Sequence, residues 1–119
     1  FLAIPAALTF AREHEWDGVR SAAHHLLCET LGAISELTGV QPLVPVPSDW
    51  YAQMALAALP SCSGEKLGAA LWERYRVEVP AIMWRGRWYL RISIQGYNDQ
   101  GDCDRLLRAL RDLLPEMRN

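Results

Sequence analysis

The sequence predicts an α+β domain in which a small, mostly antiparallel sheet of about three strands is backed by helices. Three observations carry this. Between Arg74 and Asn98, apolar and polar residues alternate with a period of two on either side of an Arg85-Gly86 break, the pattern of a two-stranded hairpin. Apolar residues recur at helical spacing from Val19 to Leu37 and again from Leu106 to Leu114. Between these regions, 41–50 carries Pro42, Pro45 and Pro47, which excludes both helix and central strand.

Taken in order, 5–14 fits a short helix with Pro5 in its first turn, where the missing N–H costs nothing, and 14–16 make a turn. Asp17 is a good N-cap for the longest helix, whose apolar face runs through Val19, Ala23, Leu26, Leu27, Ile34 and Leu37 to a stop at Gly39. An extended connector follows. Residues 51–59 are apolar on both faces, as in a strand covered from both sides. A turn over 60–64 leads to a helix that begins near Ser63 and ends before Val77.

In the hairpin, Val77, Val79, Ala81 and Met83 alternate with Glu78, Pro80 and Ile82 on the first strand. On the second, Trp88, Leu90, Ile92 and Ile94 face the core, and Arg87, Tyr89, Arg91, Ser93 and Gln95 form a polar face, because successive side chains leave opposite sides of a strand. Asn98 or Asp99 caps a last helix with Arg105, Arg108 and Arg111 on its wet side. The order from Tyr51 onward is strand, helix, strand, strand, helix, with no internal repeat and no low-complexity segment.

Composition narrows the function. The 119 residues suffice for one domain with a small core, and 50% hydrophobic with 22% charged is an ordinary globular balance. A net charge of -2 gives no electrostatic reason to expect nucleic acid or an anionic membrane as partner. No stretch reaches the ~18 apolar residues of a membrane span, so a cytoplasmic location is expected. Cys28, Cys62 and Cys103 form an odd set without a CxxC pair, which suggests neither a disulfide framework nor a thiolate zinc site. The start, Phe1-Leu2-Ala3-Ile4-Pro5, lies in the middle of an apolar pattern and is expected to belong to a longer protein, with 1–16 as a remnant helix from a domain junction and 17–119 as the domain proper.

Among residues capable of chemistry, Arg91 stands out: a lone cation between Tyr89 and Ser93 on the polar sheet face. It is either solvated or an anion receptor, and arginine suits the second role because its planar fork gives paired hydrogen bonds to one carboxylate. Trp84, Arg87 and Trp88, near the hairpin tip, are candidates for a pocket wall or an interface. His24 and His25 are neighbours on a helix and project about 100° apart, which does not suit joint metal ligation. His14 reads as a turn residue. Lys66, the single lysine, falls in the first turn of an amphipathic helix, where it reads as solvated.

The run Arg91-Ile92-Ser93, then Tyr97-Asn98 and an acidic helix start, resembles the end of the class V aminotransferases, the fold type I pyridoxal-phosphate enzymes. Arg74-Tyr75, Glu78-Val79-Pro80, Trp84 and Gly86-Arg87 bring it nearest to the branch that includes isopenicillin N epimerase. The resemblance implies the C-terminal small domain of such an enzyme, inactive alone. It implies that Arg91 binds the α-carboxylate of an amino-acid substrate. Pyridoxal 5'-phosphate and its lysine would sit in a large domain of the same polypeptide, and the enzyme would be a homodimer acting by epimerisation, elimination or transfer. Cysteine desulfurases of the group carry a nucleophilic cysteine upstream of this arginine; 77–90 contains none. A reading from another class is a stand-alone ligand-sensing or interaction module with a ferredoxin-like βαββα core. An apolar face left open on the helix of residues 2–10 separates the two, since a self-contained module covers it.

Overall fold

A computed structural model describes residues 3–118; Phe1, Leu2 and Asn119, at the ends of the predicted first and last segments, lie outside the described residues. The elements are α1 Ala3–Glu13, α2 Trp16–Thr38, β1 Met54–Ala58, α3 Gly64–Tyr75, β2 Ala81–Trp84, β3 Arg87–Ser93 and α4 Gln100–Met117. The sheet runs in the order β1-β3-β2 with both pairings antiparallel. The α+β fold with three strands therefore forms as the alternation predicts.

Arg85 and Gly86 both take positive φ, 49° and 74°, so the two-residue turn has the left-handed geometry that matches the twist of a hairpin. In β3 the period of two puts Leu90 at 0%, Ile92 at 4% and, just past the strand, Ile94 at 5% exposure, all on one side. They join Ala57 from β1, Leu27, Leu31 and Ile34 from α2, Leu67 and Leu71 from α3, and Leu106, Leu110 and Leu113 from α4 in one core. The opposite sheet face contributes nothing to that core, so the helices pack on a single side. No helix among the described residues is long and apolar enough to cross a membrane.

The helix ends follow local chemistry. Gly39 takes φ 71° and donates to Ser35 O, closing α2 at the residue the sequence marks as its stop. Ser63 caps α3. Asp99 accepts from Asp102 N while the Asp102 side chain accepts from Asp99 N, a reciprocal capping box at the start of α4. The far ends of α3 and α4 are joined by Arg74 to Glu116 at 2.9 Å and by the Tyr75 hydroxyl donating to Asp112 at 2.6 Å.

Four expectations are corrected. Asp17 does not cap α2: Glu15, at φ 50°, offers its carbonyl to Gly18 N and Val19 N, the helix starts at Trp16, and Asp17 pairs with Arg20 inside the first turn. The first hairpin strand begins at Ala81 rather than Val77, because Pro80 has no N–H for a ladder and only its carbonyl reaches Arg91 N, at 2.9 Å. The strand predicted over 51–59 shortens to Met54–Ala58 and lies at the sheet edge, with Met54 at 53% exposure, so it is not covered from both sides. Tyr89, placed by alternation on the polar face, is 4% exposed: Ala58 and Ile82 flank it on the neighbouring strands and Trp84 meets its ring edge-on at 6.1 Å.

Gly64 is where α3 meets the sheet. A Cβ there would lie 2.3 Å from two ring carbons of Trp88. Gly64→Ala gains up to ~1 kcal/mol of helix propensity but forces the indole off its seat at a cost of about 1–3 kcal/mol, so net destabilisation is expected. A lowered urea midpoint with a shifted tryptophan emission checks this, and an unchanged midpoint refutes it.

Candidate functional site

The site grows out of β3. As the middle strand, β3 pairs Arg91 with Leu56 of β1 on one side, and on the other Arg91 N–H donates to Pro80 O. Its backbone is therefore held laterally on both edges. The alternation turns the side chain away from the core, and Arg91 is exposed, with Tyr89 and Ser93 as neighbours on the same face. Among the described residues Arg91 has no ion-pair partner.

Beside β3 lies a cleft of about 400 Å³, where the ladder to β2 ends at Ala81 and only the Pro80 carbonyl still reaches β3, at Arg91 N. Its walls include Arg91 and Ser93, Arg76 and Glu78 from the segment before Pro80, and Asn98 and Arg105 from around the start of α4. Asp102 also reaches it, but the Asp99 backbone N–H and then the Asn98 side chain hold its carboxyl below the usual range. Its charge is committed to the helix cap rather than to Arg91. The guanidinium groups of Arg76, Arg91 and Arg105 thus share the cleft with the carboxylates of Glu78 and Asp102 and with apolar residues such as Val79 and Ile92, and Arg91, which has no ion-pair partner among the described residues, is suited to receive a small anion.

The other sequence-predicted residues are distributed as follows. Trp84 is 44% exposed on the Arg91 face, with the Arg85 guanidinium 4.7 Å over its ring. Arg87 pairs with Trp84 across the hairpin and is exposed on that same face. Trp88 turns to the opposite side and packs half-buried on Gly64, so it does not share a wall with Arg91. Tyr97 is 84% exposed, and Asn98 closes a turn by accepting from Gln95 N. Arg76 and Glu78 are cleft residues that the sequence did not single out; their signal was the resemblance segment ending at Pro80, which pattern alone assigned to a strand.

Lys66 is exposed on α3, which packs against the sheet face opposite Arg91. A covalently held cofactor facing Arg91 does not fit this lysine, and the residues present do not make a pyridoxal-phosphate site by themselves. Among the described residues no group of three or more His, Cys, Asp and Glu stands close enough to hold a metal. His24 and His25 diverge, the first toward Ala52 O at 2.7 Å and the second toward Glu29 at 3.0 Å.

These features define a small α+β domain that presents Arg91, without an ion-pair partner among the described residues, from the open face of its sheet. No family model matches the chain. It is similar to isopenicillin N epimerase from Amycolatopsis lactamdurans, with 30% identity over 114 residues, covering 95% of this chain. The chain spans 29% of that relative's length.

Proposed function

We propose that this chain is the C-terminal, substrate-binding domain of a pyridoxal-phosphate-dependent enzyme of the class V aminotransferase type, isopenicillin N epimerase-like, in which Arg91 holds the α-carboxylate of an amino-acid substrate. The observation that carries this reading is the setting of Arg91: exposed, unpaired among the described residues, fixed on the middle strand and bordered by a cleft. The guanidinium gives two parallel hydrogen bonds to one carboxylate, which fixes both position and rotation of the amino acid. Holding that group is this chain's part; the cofactor belongs to a large domain of the same polypeptide, since Lys66 is turned away.

Two further observations support the reading. The similarity runs along nearly the whole chain rather than a short motif. On α1, Ile4 and Leu8, one turn apart, are 56% and 59% exposed and no residue of the helix is buried, which leaves apolar surface for a larger partner. Residues 1–16 are accordingly read as the junction with the large domain and 17–119 as the small domain, in an enzyme that acts as a homodimer. A self-contained sensing module has no comparable observation in its favour.

The test compares an amino-acid substrate with its α-carboxamide in the full-length enzyme. Removing the charge while keeping the shape is expected to lower kcat/KM about 30-fold or more, since an arginine left facing a neutral amide loses at least ~2 kcal/mol. Equal kcat/KM for the two compounds refutes the assignment.

A further inference from the structure

Outside the lining of the carboxylate cleft, α2 and Tyr51 bring together three groups that it does not use. His24 Nδ1 lies 2.7 Å from Ala52 O. A carbonyl oxygen only accepts, so Nδ1 carries a proton and the neutral ring presents the lone pair of Nε2. That nitrogen is 3.6 Å from Cys28 Sγ, one helical turn further along α2. The Tyr51 hydroxyl is also 3.6 Å from Sγ, and its ring centroid is 5.5 Å from that of His24. Nucleophile, base and a group that orients the base are thus in line, with a hydroxyl beside the sulfur.

We propose that Cys28 is a modification site for small α,β-unsaturated carbonyl compounds, with His24 as base and Tyr51 as hydrogen-bond donor to the carbonyl oxygen. Conjugate addition asks for these three functions. Sγ forms a bond to the β-carbon while the C=C π pair shifts toward the carbonyl oxygen, and His24 Nε2 takes the thiol proton. Tyr51 donates to the enolate oxygen. The proton on His24 is then delivered to the α-carbon, which restores the carbonyl and leaves a thioether. No oxidant enters and no group leaves.

Burial, and then Cys28 itself, push the Tyr51 phenol up to about 12, so it keeps its proton; at rest it donates to Pro45 O at 3.5 Å, and it turns to the enolate oxygen when one forms. Cys28 is 8% exposed, against 3% for Cys62 and 3% for Cys103, whose thiols burial pushes up. A metal is the less suitable ligand, because a third His, Cys, Asp or Glu is absent from this cluster among the described residues.

The experiment exposes the protein to acrolein at neutral pH and follows adducts at each cysteine by peptide mass spectrometry. Cys28 is expected to react roughly tenfold faster than Cys62 and Cys103. His24→Asn, whose amide nitrogen stands at the position of Nδ1 and can keep the bond to Ala52 O, is expected to slow Cys28 roughly tenfold while the other two cysteines and the thermal midpoint are unchanged. Tyr51→Phe is expected to slow acrolein but not iodoacetamide, a displacement that builds no charge on a carbonyl oxygen. Equal rates at the three cysteines, an unaffected His24→Asn, or a Tyr51→Phe effect equal for both reagents overturns the proposal. Should His24→Asn unfold, the wild-type solvent isotope effect decides: a Cys28 rate slowed in heavy water supports proton removal by His24 during the addition, whereas a rate equal or faster there overturns it.

Discussion

In the enzyme proposed above, Arg91→Ala is expected to weaken productive substrate binding by about 2–5 kcal/mol, the usual loss when one partner of a desolvated charge pair is removed. In kcat/KM this is roughly 30-fold to several thousand-fold, and cofactor loading, read from the absorbance of the resting enzyme, stays normal. Arg91→Lys keeps the charge but gives a point donor in place of a fork, so it recovers part of the loss. The fold itself has little stake in the side chain, because Arg91 is exposed and makes no ion pair among the described residues. Wild-type kinetics in Arg91→Ala would reduce the residue to surface.

The second large effect is expected directly behind it. Leu90 precedes Arg91 on β3 and is 0% exposed, and its partners across the sheet are Ala57 and Ala81. With only methyl groups on both flanks, little can close over a deletion, so Leu90→Ala falls toward the upper end of the leucine series, about 3–5 kcal/mol. Urea unfolding that lowers the midpoint without changing the slope measures it. A loss below about 1 kcal/mol would mean that Leu90 is not closely packed.

Much of this architecture was legible in the sequence, for identifiable reasons. Alternation through Leu90, Ile92 and Ile94 depends only on strand geometry, so it fixed the core face of β3 and with it the outward side for Arg91. Gly39, Ser63 and Asp99 marked helix ends because each answers a local need for a left-handed residue or a side-chain acceptor. What the sequence concealed depends on distant neighbours. Tyr89 is covered by Ala58 and Trp84, one on another strand and one across the turn, and no local rule foresees that. The cleft beside Arg91 lies where the ladder to β2 ends at Ala81, an end that the valine-rich pattern before Pro80 masked. The i, i+4 spacing of His24 and Cys28 was readable, but Tyr51 joins them from beyond the proline-rich connector.

The lateral clamping of β3 bears on how an anion is captured. Since the main chain on either side of Arg91 is already fixed by β1 and by Pro80, no loop has to order when a ligand arrives. The disorder lost on capture is that of one long side chain, at most ~2 kcal/mol, and the receptor waits with its root immobile and only its tip searching.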